Sequence, residues 1–398
     1  MAQGLFIGSG NVAKKARNAY IGVNGVAKKI KKIYIGDANG IARTVYFNPV
    51  TLESVNATVE NLSFPSGYSQ RQKMYAGTTS DKNHAFFMGG QIGSNSSYHA
   101  IYTDIADVYN SSLTKVTLSA NIGKNSARGV TNLGNNAVIF GGLKSTYNTA
   151  NVESGSVTMT DIHTLNNSLT FTLAANLPTG FSNILVERIN NDYAVFCGNS
   201  SGDVYSINSS LTVSKLSNIN ESMLPIDDTS SYIDNSYAIF CGGTNLEVYN
   251  SSGTKVSTSA KLSTSRFYVA GASTGNHALF AGGNPTYTSL DVVDIVSKDL
   301  VVTTTKLSKA LQKLAGFSSS NGSAYFMGGE VYTYNPTIIT PSNTIESFDS
   351  SLVRKLEPVT LNTTQEIPFV FELGNYIIVT GGIKNNAPVP TIQVFKQV

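Results

Sequence analysis

Tryptophan is absent from this 398-residue chain, and cysteine and charge are scarce. Charged residues make up 13% of the sequence, about half of the ~25% that is usual in soluble domains. Solubility must therefore depend on the many Ser, Thr and Asn residues. No apolar stretch approaches the ~20 residues that a membrane-spanning helix needs. The first residues show no charged segment followed by an apolar core, so we expect no secretory signal and synthesis in a cytoplasm.

Residue types that carry catalytic or metal chemistry are also sparse. The two cysteines, Cys197 and Cys241, each precede a glycine at the end of an apolar run. We expect small buried side chains there, rather than a disulfide or a copper site. His84 and His277 occupy the same position in two repeats, which indicates a structural role. His99 and His163 stand alone in polar stretches.

Motifs of known catalytic or cofactor chemistry are missing as well. The sequence holds no His/Cys cluster with metal-ligand spacing, no phosphate-binding loop, no Gly-x-Ser-x-Gly and no prominent carboxylate pair. The sequence therefore predicts no cofactor, no metal site and no enzyme activity.

What the chain has instead is an apolar run ending in glycine that occurs seven times. The runs are HAFFMGG (84–90), NAVIFGG (136–142), YAVFCGN (193–199), YAIFCGG (237–243), HALFAGG (277–283), SAYFMGG (323–329) and YIIVTGG (376–382). They begin 40 to 57 residues apart, close to the spacing of propeller blades. The chain is therefore a repeat protein.

Each repeat has the pattern of four strands. A first strand such as 267–271 and a short polar turn precede the glycine-ended second strand. A loop then leads to a third strand such as 247–249, and a turn such as Asn250-Ser251-Ser252 leads to a fourth. Alternating polarity and β-branched and aromatic residues favour strands throughout.

The last repeat lacks a fourth strand, and an early segment has the pattern to replace it. Residues 368–373, 376–382 and 391–397 supply the first three strands, after which the chain ends. Residues 51–59 have the fourth-strand pattern and precede the first repeat. Pairing them removes an exposed sheet edge. The sequence predicts an all-β fold, a seven-bladed β-propeller whose ring is closed by the N-terminal strand 51–59.

Residues 1–43 carry a second, shorter repeat and a strong excess of basic over acidic residues. Phe6-Ile7-Gly8, Tyr20-Ile21-Gly22 and Tyr34-Ile35-Gly36 recur every 14 residues, interleaved with lysine pairs and Asn-Gly turns. A helix face is the alternative, but the Asn-Gly turns favour small β-hairpins. Residues 1–50 hold 8 Lys/Arg and 1 acid, a net +7; the rest holds 28 − 8 = 20 bases and 25 − 1 = 24 acids, a net −4.

The glycine-ended strands resemble those of kelch-type β-propellers over residues 44–398. The kelch pattern also places a Tyr and a Trp after the glycines, and this chain has no Trp, so we describe its repeats as kelch-like and divergent. The missing tryptophan also argues against WD-type repeats. The resemblance implies a propeller scaffold and no particular chemistry.

The N-terminal text VAKK-IKK-IYIG-VNG-VA resembles repeats of tail-associated structural proteins in phages and prophages of Gram-positive bacteria, particularly clostridia. The resemblance implies a virion protein with an attachment region at 1–43 and a display domain at 44–398. Such proteins are often trimeric fibres or baseplate appendages, with attachment to the head as the alternative. The candidate attachment residues are Lys14, Lys15, Tyr20, Lys28, Lys29, Lys31, Lys32 and Tyr34.

Loop lengths indicate which face of the propeller binds a ligand. The turns between first and second strands are short, whereas the second-to-third loops vary and carry tyrosines. The candidate receptor-binding residues are Tyr98, His99, Tyr102, Tyr147, Tyr287, Tyr332 and Tyr334. We expect host-surface binding to carbohydrate or protein, with a purely architectural role or a depolymerase as alternatives. Nucleic acid binding is not expected.

Overall fold

The computed structural model of the chain contains β-strands and, in the residues it describes, no helix. Those residues are 6–9, 12–15, 20–23, 26–29, 32–36, 42–47, 52–54, 75–89, 91–94, 100–102, 106–116, 118, 125–126, 129–147, 153–181, 184–198, 202–218, 229–286, 288–364, 368–380, 383–384, 387–388 and 392–397. None of them belongs to a helix that could cross a membrane. Contacts divide the chain into two units, Met1–Thr51 with Val398 and Leu52–Gln397.

The first unit contains three antiparallel hairpins. They pair Phe6–Ser9 with Val12–Lys15, Tyr20–Val23 with Val26–Lys29, and Lys32–Gly36 with Ala42–Phe47. The first two hairpins have the same register: Phe6 pairs with Lys15 in one, and Tyr20 pairs with Lys29 in the other. The prediction of hairpins over a helix is confirmed. The candidate attachment residues lie on these strands, except Lys31, which is outside the described residues.

The second unit is built from seven antiparallel four-stranded sheets, the blades of a propeller. The first strands are Tyr75–Thr78, Gly129–Leu133, Ile184–Asn190, Thr229–Ile233, Ala270–Ser273, Ala315–Ser318 and Phe369–Leu373. The second strands are His84–Met88, Asn136–Phe140, Tyr193–Gly198, the start of Tyr237–Asn250, Ala278–Ala281, Ala324–Met327 and Tyr376–Thr380. We number the blades 1 to 7 in this order.

The outer half of each blade completes the sheet. The third strands are Ala106–Asn110, Asp161–Asn166, Asp203–Asn208, the end of Tyr237–Asn250, Leu290–Val296, Ile345–Phe348 and Ile392–Gln397. The fourth strands are Lys115–Val116, Phe171–Asn176, Val213–Asn218, Lys255–Val256, Val302–Leu311, Arg354–Leu356 and Leu52–Ser54. In blade 4, Lys261–Arg266 also pairs with the long strand.

The ring closes as the sequence predicts. Leu52–Ser54 pairs with the last strand of the chain, with Leu52 opposite Gln397 and Ser54 opposite Phe395. The rest of the predicted strand, residues 55–59, lies outside the described residues. The first strand of every blade contacts the first strand of the next, including blade 7 with blade 1. Closure thus leaves blade 7 with a full set of four strands.

Seven separate apolar clusters hold the ring together, one between each pair of neighbouring blades. Between blades 1 and 7, Phe87 and Tyr109 pack against Phe371 and Ile378, and the Phe87 and Phe371 ring centroids are 5.4 Å apart. Burying one such side chain contributes about 1.5–3 kcal/mol. A single blade would expose both of these faces, so each blade depends on its neighbours.

The turns between third and fourth strands share a leucine in a left-handed conformation. In blade 1, Asn110 Oδ1 accepts hydrogen bonds from the N–H groups of Ser112 and Thr114, each at 3.0 Å, and Leu113 has a φ of 61°. The strain of about 1–2 kcal/mol is offset because the Leu113 side chain is buried between blades. The equivalent residues are Leu169, Leu211, Leu300 and Leu352.

Blade 4 replaces this leucine with Gly253, and the reason is a neighbouring side chain. A Cβ at Gly253 would lie 2.2 Å from the hydroxyl of Tyr193, which begins the second strand of blade 3. Tyr193 packs against the cluster between blades 3 and 4. The tyrosine therefore occupies the space that the turn residue takes elsewhere in the ring.

The glycine pairs end the second strands where the segments that connect blades cross them. At Gly282 (φ +66°) an added Cβ would lie 2.3 Å from the carbonyl oxygen of Leu311, on the segment entering blade 6. At Gly283 (φ +98°) it would lie 2.7 Å from the carbonyl oxygen of Phe267, on the segment entering blade 5. The N–H of Gly283 donates to Leu311 at 2.9 Å. Glycine is required because both connections pass at contact distance and because φ is positive.

The carboxylate of Glu372 joins three blades where the ring closes. It accepts hydrogen bonds from Ser319 Oγ of blade 6 at 2.8 Å and from Gln397 Nε2 of blade 7 at 2.7 Å. It also pairs with Lys82 in the first turn of blade 1. Burial alone would raise the pKa of Glu372, but Lys82 and the hydrogen bonds from Gln397 and Ser319 hold it below its ordinary value.

We predict that Gly282→Ala lowers the free energy of unfolding by more than about 4 kcal/mol, because the methyl group collides with Leu311. Gly322→Ala is the matched control, since its φ is +81° but no heavy atom lies within 3.7 Å of the added Cβ. The control should lose only the backbone strain, about 1–2 kcal/mol. Urea denaturation measures both; equal losses would show that crowding at Gly282 has no role.

We predict that Glu372→Gln destabilises the propeller by about 2–3 kcal/mol at pH 7, because several donors lose a charged acceptor. A double-mutant cycle with Lys82→Met should show clear coupling between the two residues. The exposed pair Lys306–Asp291, with a 3.0 Å separation, is the control and should couple by less than about 1 kcal/mol. Coupling at the seam no larger than in that exposed pair would refute the role given to Glu372.

Candidate functional site

A channel of about 640 Å³ runs between the first strands of all seven blades. Its wall is tight on one side, because a Cβ at Gly271 would lie 2.0 Å from the carbonyl oxygen of Ser230, and one at Gly316 would lie 2.0 Å from that of Gly271. The first strands of blades 4, 5 and 6 therefore pack backbone against backbone. The sequence shows that glycine is present at 271 and 316, but it does not show that close backbone packing requires glycine there.

One position of the first strand is polar in all seven blades. It is the residue paired with the second residue of each glycine-ended run: Thr78, Asn132, Arg188, Tyr232, Ser273, Ser318 and Glu372. We call these residues the polar ring. All of them except Ser273 line the channel. The polar ring provides hydroxyl, amide, guanidinium and carboxylate groups at one level.

Hydrogen bonds fix part of the polar ring and leave part of it open. Ser318 Oγ accepts the N–H of Ser273 at 2.8 Å and is hydrogen-bonded to the Tyr232 hydroxyl. Burial, with Asp234 and other charges nearby, raises the pKa of Tyr232 to about 12, so this phenol stays protonated. The Oδ1 atom of Asn132 is buried and has no hydrogen-bond partner among the described residues. A buried unpaired acceptor marks a place where a ligand can donate a hydrogen bond.

Glu187 stands next to the polar ring, at a position where other blades carry no charge. The equivalent residues are Gly77, Thr131, Ser231, Ala272, Phe317 and Phe371. Burial raises the pKa of Glu187 to about 7, against the lowering effects of a hydrogen bond with Ser230 and the charge of Arg188. The residue is partly exposed and lines the channel. Glu187 therefore changes its protonation near neutral pH.

One face of the propeller is formed by the loops between the second and third strands, and four blades carry a hairpin in this loop. The hairpins pair Gln91–Ser94 with Ala100–Tyr102, Leu143–Tyr147 with Glu153–Thr158, Glu330–Thr333 with Ile338–Pro341, and Ile383–Lys384 with Ala387–Pro388. Asn125–Ser126 adds a third strand to the second of these. The predicted residues Tyr102, Tyr147 and Tyr332 lie in these strands, and Tyr334 follows one of them; Tyr98, His99 and Tyr287 lie outside the described residues.

The blade 6 hairpin has a fixed base and an exposed tip. At the base, buried Glu330 accepts Gln312 Nε2 at 2.7 Å and pairs with Lys313 Nζ at 2.9 Å. Ser289 of blade 5 accepts the N–H of Tyr332 at 2.8 Å. At the tip, three apolar or aromatic side chains are more than half exposed: Tyr334 at 58%, Ile338 at 52% and Ile339 at 53%.

The cysteines have the structural positions that the sequence predicts. Cys197 and Cys241 are buried thiols that lie in two different apolar clusters. No group of three or more His, Cys, Asp or Glu residues in the described part of the chain is placed to hold a metal ion. Neither cysteine has metal-binding neighbours of that kind.

The described histidines also serve the blades. His84 begins the second strand of blade 1 and His277 immediately precedes that of blade 5, and the Nδ1 atom of each is buried without a hydrogen-bond partner among the described residues. Burial lowers the pKa of His277. His163 stacks on Phe171 at a centroid distance of 4.8 Å, and burial lowers its pKa against the charge of Asp161. The lowered pKa values leave the rings of His163 and His277 neutral at pH 7.

The sequence analysis missed the polar ring and Glu187. Their positions become equivalent only when the first strands are aligned through their pairing with the second strands. A fixed count back from the glycine-ended runs does not align them, because the turns between first and second strands differ in length. The polar-ring residue stands four positions before the run in blades 2, 5 and 7, five in blades 3, 4 and 6, and six in blade 1.

We predict that Glu187→Gln removes a pH-dependent loss of stability. The ordinary pKa of Glu is near 4.5 and that of folded Glu187 is about 7, so wild-type stability should fall as pH rises between these values. At pH 8 the variant should be more stable than wild type by up to about 3 kcal/mol, and at pH 4 the two should differ little. Asp299→Asn, at an exposed turn, is the control. Urea unfolding at pH 4, 6 and 8 tests this; a pH-independent difference would contradict it.

Comparison with known proteins does not show a family for this chain. No protein-family model and no curated protein matches the chain. A solved structure described as the structure of YjhT matches with 12% sequence identity and a TM-score of 0.48, covering 83% of this chain and 96% of that one. The assignment of a seven-bladed propeller therefore rests on the seven sheets and their closure in this chain.

Proposed function

We propose that this protein is a non-enzymatic structural protein of a bacteriophage virion that displays its propeller for binding to the host surface. The observation that carries the binding role is the blade 6 hairpin, whose buried base holds an exposed tip of Tyr334, Ile338 and Ile339. Exposed aromatic and aliphatic residues on a rigid support are typical of recognition surfaces, because little conformational freedom is lost on binding.

The position of the hairpins supports the same role. Four blades place hairpins on the face formed by the second-to-third loops, whereas the first-to-second turns are short, as between Leu133 and Asn136. Tyrosine offers a flat apolar ring and a hydroxyl, a combination that suits carbohydrate or protein. This face is therefore the one we assign to the host surface.

The virion assignment rests on the resemblance of residues 1–43 to phage tail-associated repeats. We assign this segment to attachment, to tail or baseplate proteins first and to the capsid second. Isolated two-stranded hairpins are marginally stable in water, so a chain with three of them in series gains from assembly with a partner or with other copies. A homo-oligomer, with a trimer favoured, assembled in the host cytoplasm and carried on the virion, fits this reasoning.

Two other roles make different demands on the structure. A depolymerase needs a pair of carboxyl groups on the binding face. The buried carboxylate described at the blade 6 hairpin, Glu330, is already held by Gln312 and Lys313. A purely architectural decoration protein needs no exposed tip on that face. Both roles remain alternatives that the following experiment distinguishes.

We predict that the triple variant Tyr334→Ser, Ile338→Ser, Ile339→Ser binds host cells at least tenfold more weakly than wild type, because the recognition tip is lost. The matched control is Val301→Ser, Val353→Ser, Leu356→Ser, which changes residues of 57%, 58% and 55% exposure outside this hairpin. Binding of labelled protein to host cells and to isolated wall polysaccharide is the measurement. The control should bind like wild type.

Further outcomes of the same assay separate the alternatives. Release of oligosaccharide from the polysaccharide would identify an enzyme and reject the proposal, and absence of wild-type binding to any host preparation would favour the architectural role. A chain lacking residues 1–43 should still bind cells but be missing from purified particles. Its incorporation into particles would reject the attachment role of that segment.

A further inference from the structure

Glu187 and Arg188 interrupt the repeat in one blade only. Residues that the blade architecture requires recur in blade after blade, as the turn leucines and the glycine pairs do. At the position of Glu187, the other six blades carry small, hydroxyl or apolar residues, and Arg188 is the only arginine of the polar ring. The propeller does not need this pair of charged residues, so a role in binding explains them better than a role in folding.

Hydrogen-bond donors converge at this part of the channel. Arg188 uses Nη1 to donate to Asn191 at 3.0 Å, which leaves other N–H groups of the guanidinium for a ligand. The Tyr232 hydroxyl is hydrogen-bonded to Ser318 and stays protonated, so it can donate to a ligand when Ser318 supplies the proton of that bond. Arg188 and Tyr232 both lie within electrostatic range of Glu187. In its protonated form the Glu187 carboxyl adds an O–H donor to the same group.

The surrounding charges leave the cluster positive when Glu187 is protonated. Asp234 acts on Tyr232 but sits at an exposed turn, where water screens it. Lys82 and Glu372, farther around the ring, pair with each other. Among the described residues, no carboxylate lies within ion-pair distance of Arg188. The charge of Arg188 is therefore the one in this cluster that no ion pair neutralises. A group with one negative charge and two acceptor oxygens is complementary to it.

We propose that the channel binds a small hydroxylated carboxylate, whose carboxylate group is held by Arg188, Tyr232 and protonated Glu187. The buried, unpaired Oδ1 of Asn132, on the neighbouring blade, accepts a hydrogen bond from a ligand hydroxyl. The channel volume of about 640 Å³ is within the range of small-molecule sites. This site lies inside the propeller and does not depend on the hairpin face or on the proposed virion role.

The ligand has to carry both groups. A neutral sugar would leave the guanidinium without an anion, and an amine would meet Arg188 with like charge. A carboxylate without a hydroxyl would leave Asn132 unpaired, at a loss of affinity. These requirements define a series of probes that differ by one group at a time.

The test uses the full-length protein and titration calorimetry with D-glucuronate, D-glucose, D-glucosamine and acetate as probes. Glucuronate is expected to bind at least tenfold more tightly than each of the other three. Its affinity should be about tenfold higher at pH 6 than at pH 8, because Glu187 loses its proton between these values. Comparable binding of glucosamine or glucose, or no binding of glucuronate at pH 6, would overturn the proposal.

Three variants separate binding from folding. Arg188→Gln should lose at least tenfold in glucuronate affinity, whereas Arg354→Gln, at a surface arginine of blade 6, should match wild type. Glu187→Gln keeps an N–H donor but cannot ionise, so it should bind glucuronate with no change between pH 6 and pH 8. If thermal unfolding shows that Arg188→Gln is not folded, Tyr232→Phe is used in its place and should weaken glucuronate binding. Full affinity in the folded binding variants, or pH-dependent binding by Glu187→Gln, would refute the site.

Discussion

The crossing of the blade connections over the ends of the second strands is the constraint on which the propeller depends. A connection must leave the outer edge of one blade and reach the axis of the next, and it passes within contact distance of the glycine pair. The carbonyl of Leu311 lies over Gly282, and that of Phe181 lies over Gly141 in the same way, with 3.2 Å to an added Cβ. A side chain at these glycines would lift the connection and move the first strand that follows it. The channel wall and the apolar clusters between blades would move with it.

Strand position determines which residues are free to take a binding role. The second strands are buried on both faces, as in Ala137, Val138 and Phe140, so packing alone sets their composition. The first strands border the channel, and one position in each of them is polar. The second-to-third loops are held only at their bases, as Glu330 holds the blade 6 hairpin. Function in such a scaffold is therefore expected at the axis and on one face.

Local chemistry made the framework predictable. The glycine pairs, the apolar runs and the Asn-rich turns each act within a few residues, so the seven blades and the closing strand near Leu52 follow from the sequence. The polar ring does not, because residues as different as Thr78, Arg188 and Glu372 share only a pairing register. The turn leucines escaped prediction for another reason. Leucine at positive φ is unfavourable alone, and only burial between two blades makes Leu113 a suitable residue there.

The segment proposed for attachment leads directly into the short strand that closes the ring. The N-terminal unit continues into Leu52–Ser54, so under the proposed role a pull on that segment acts on the strand that completes blade 7. Three residue pairs hold that strand to Ile392–Gln397, fewer than hold most other pairs of strands in the ring. Additional contacts compensate: the Leu52 side chain is fully buried between blades 6 and 7, and its N–H donates to Glu357 at 3.3 Å. Because Glu357 is itself fixed by Ser347 at 2.6 Å, force on this strand is shared with blade 6 rather than borne by the closing pairs alone.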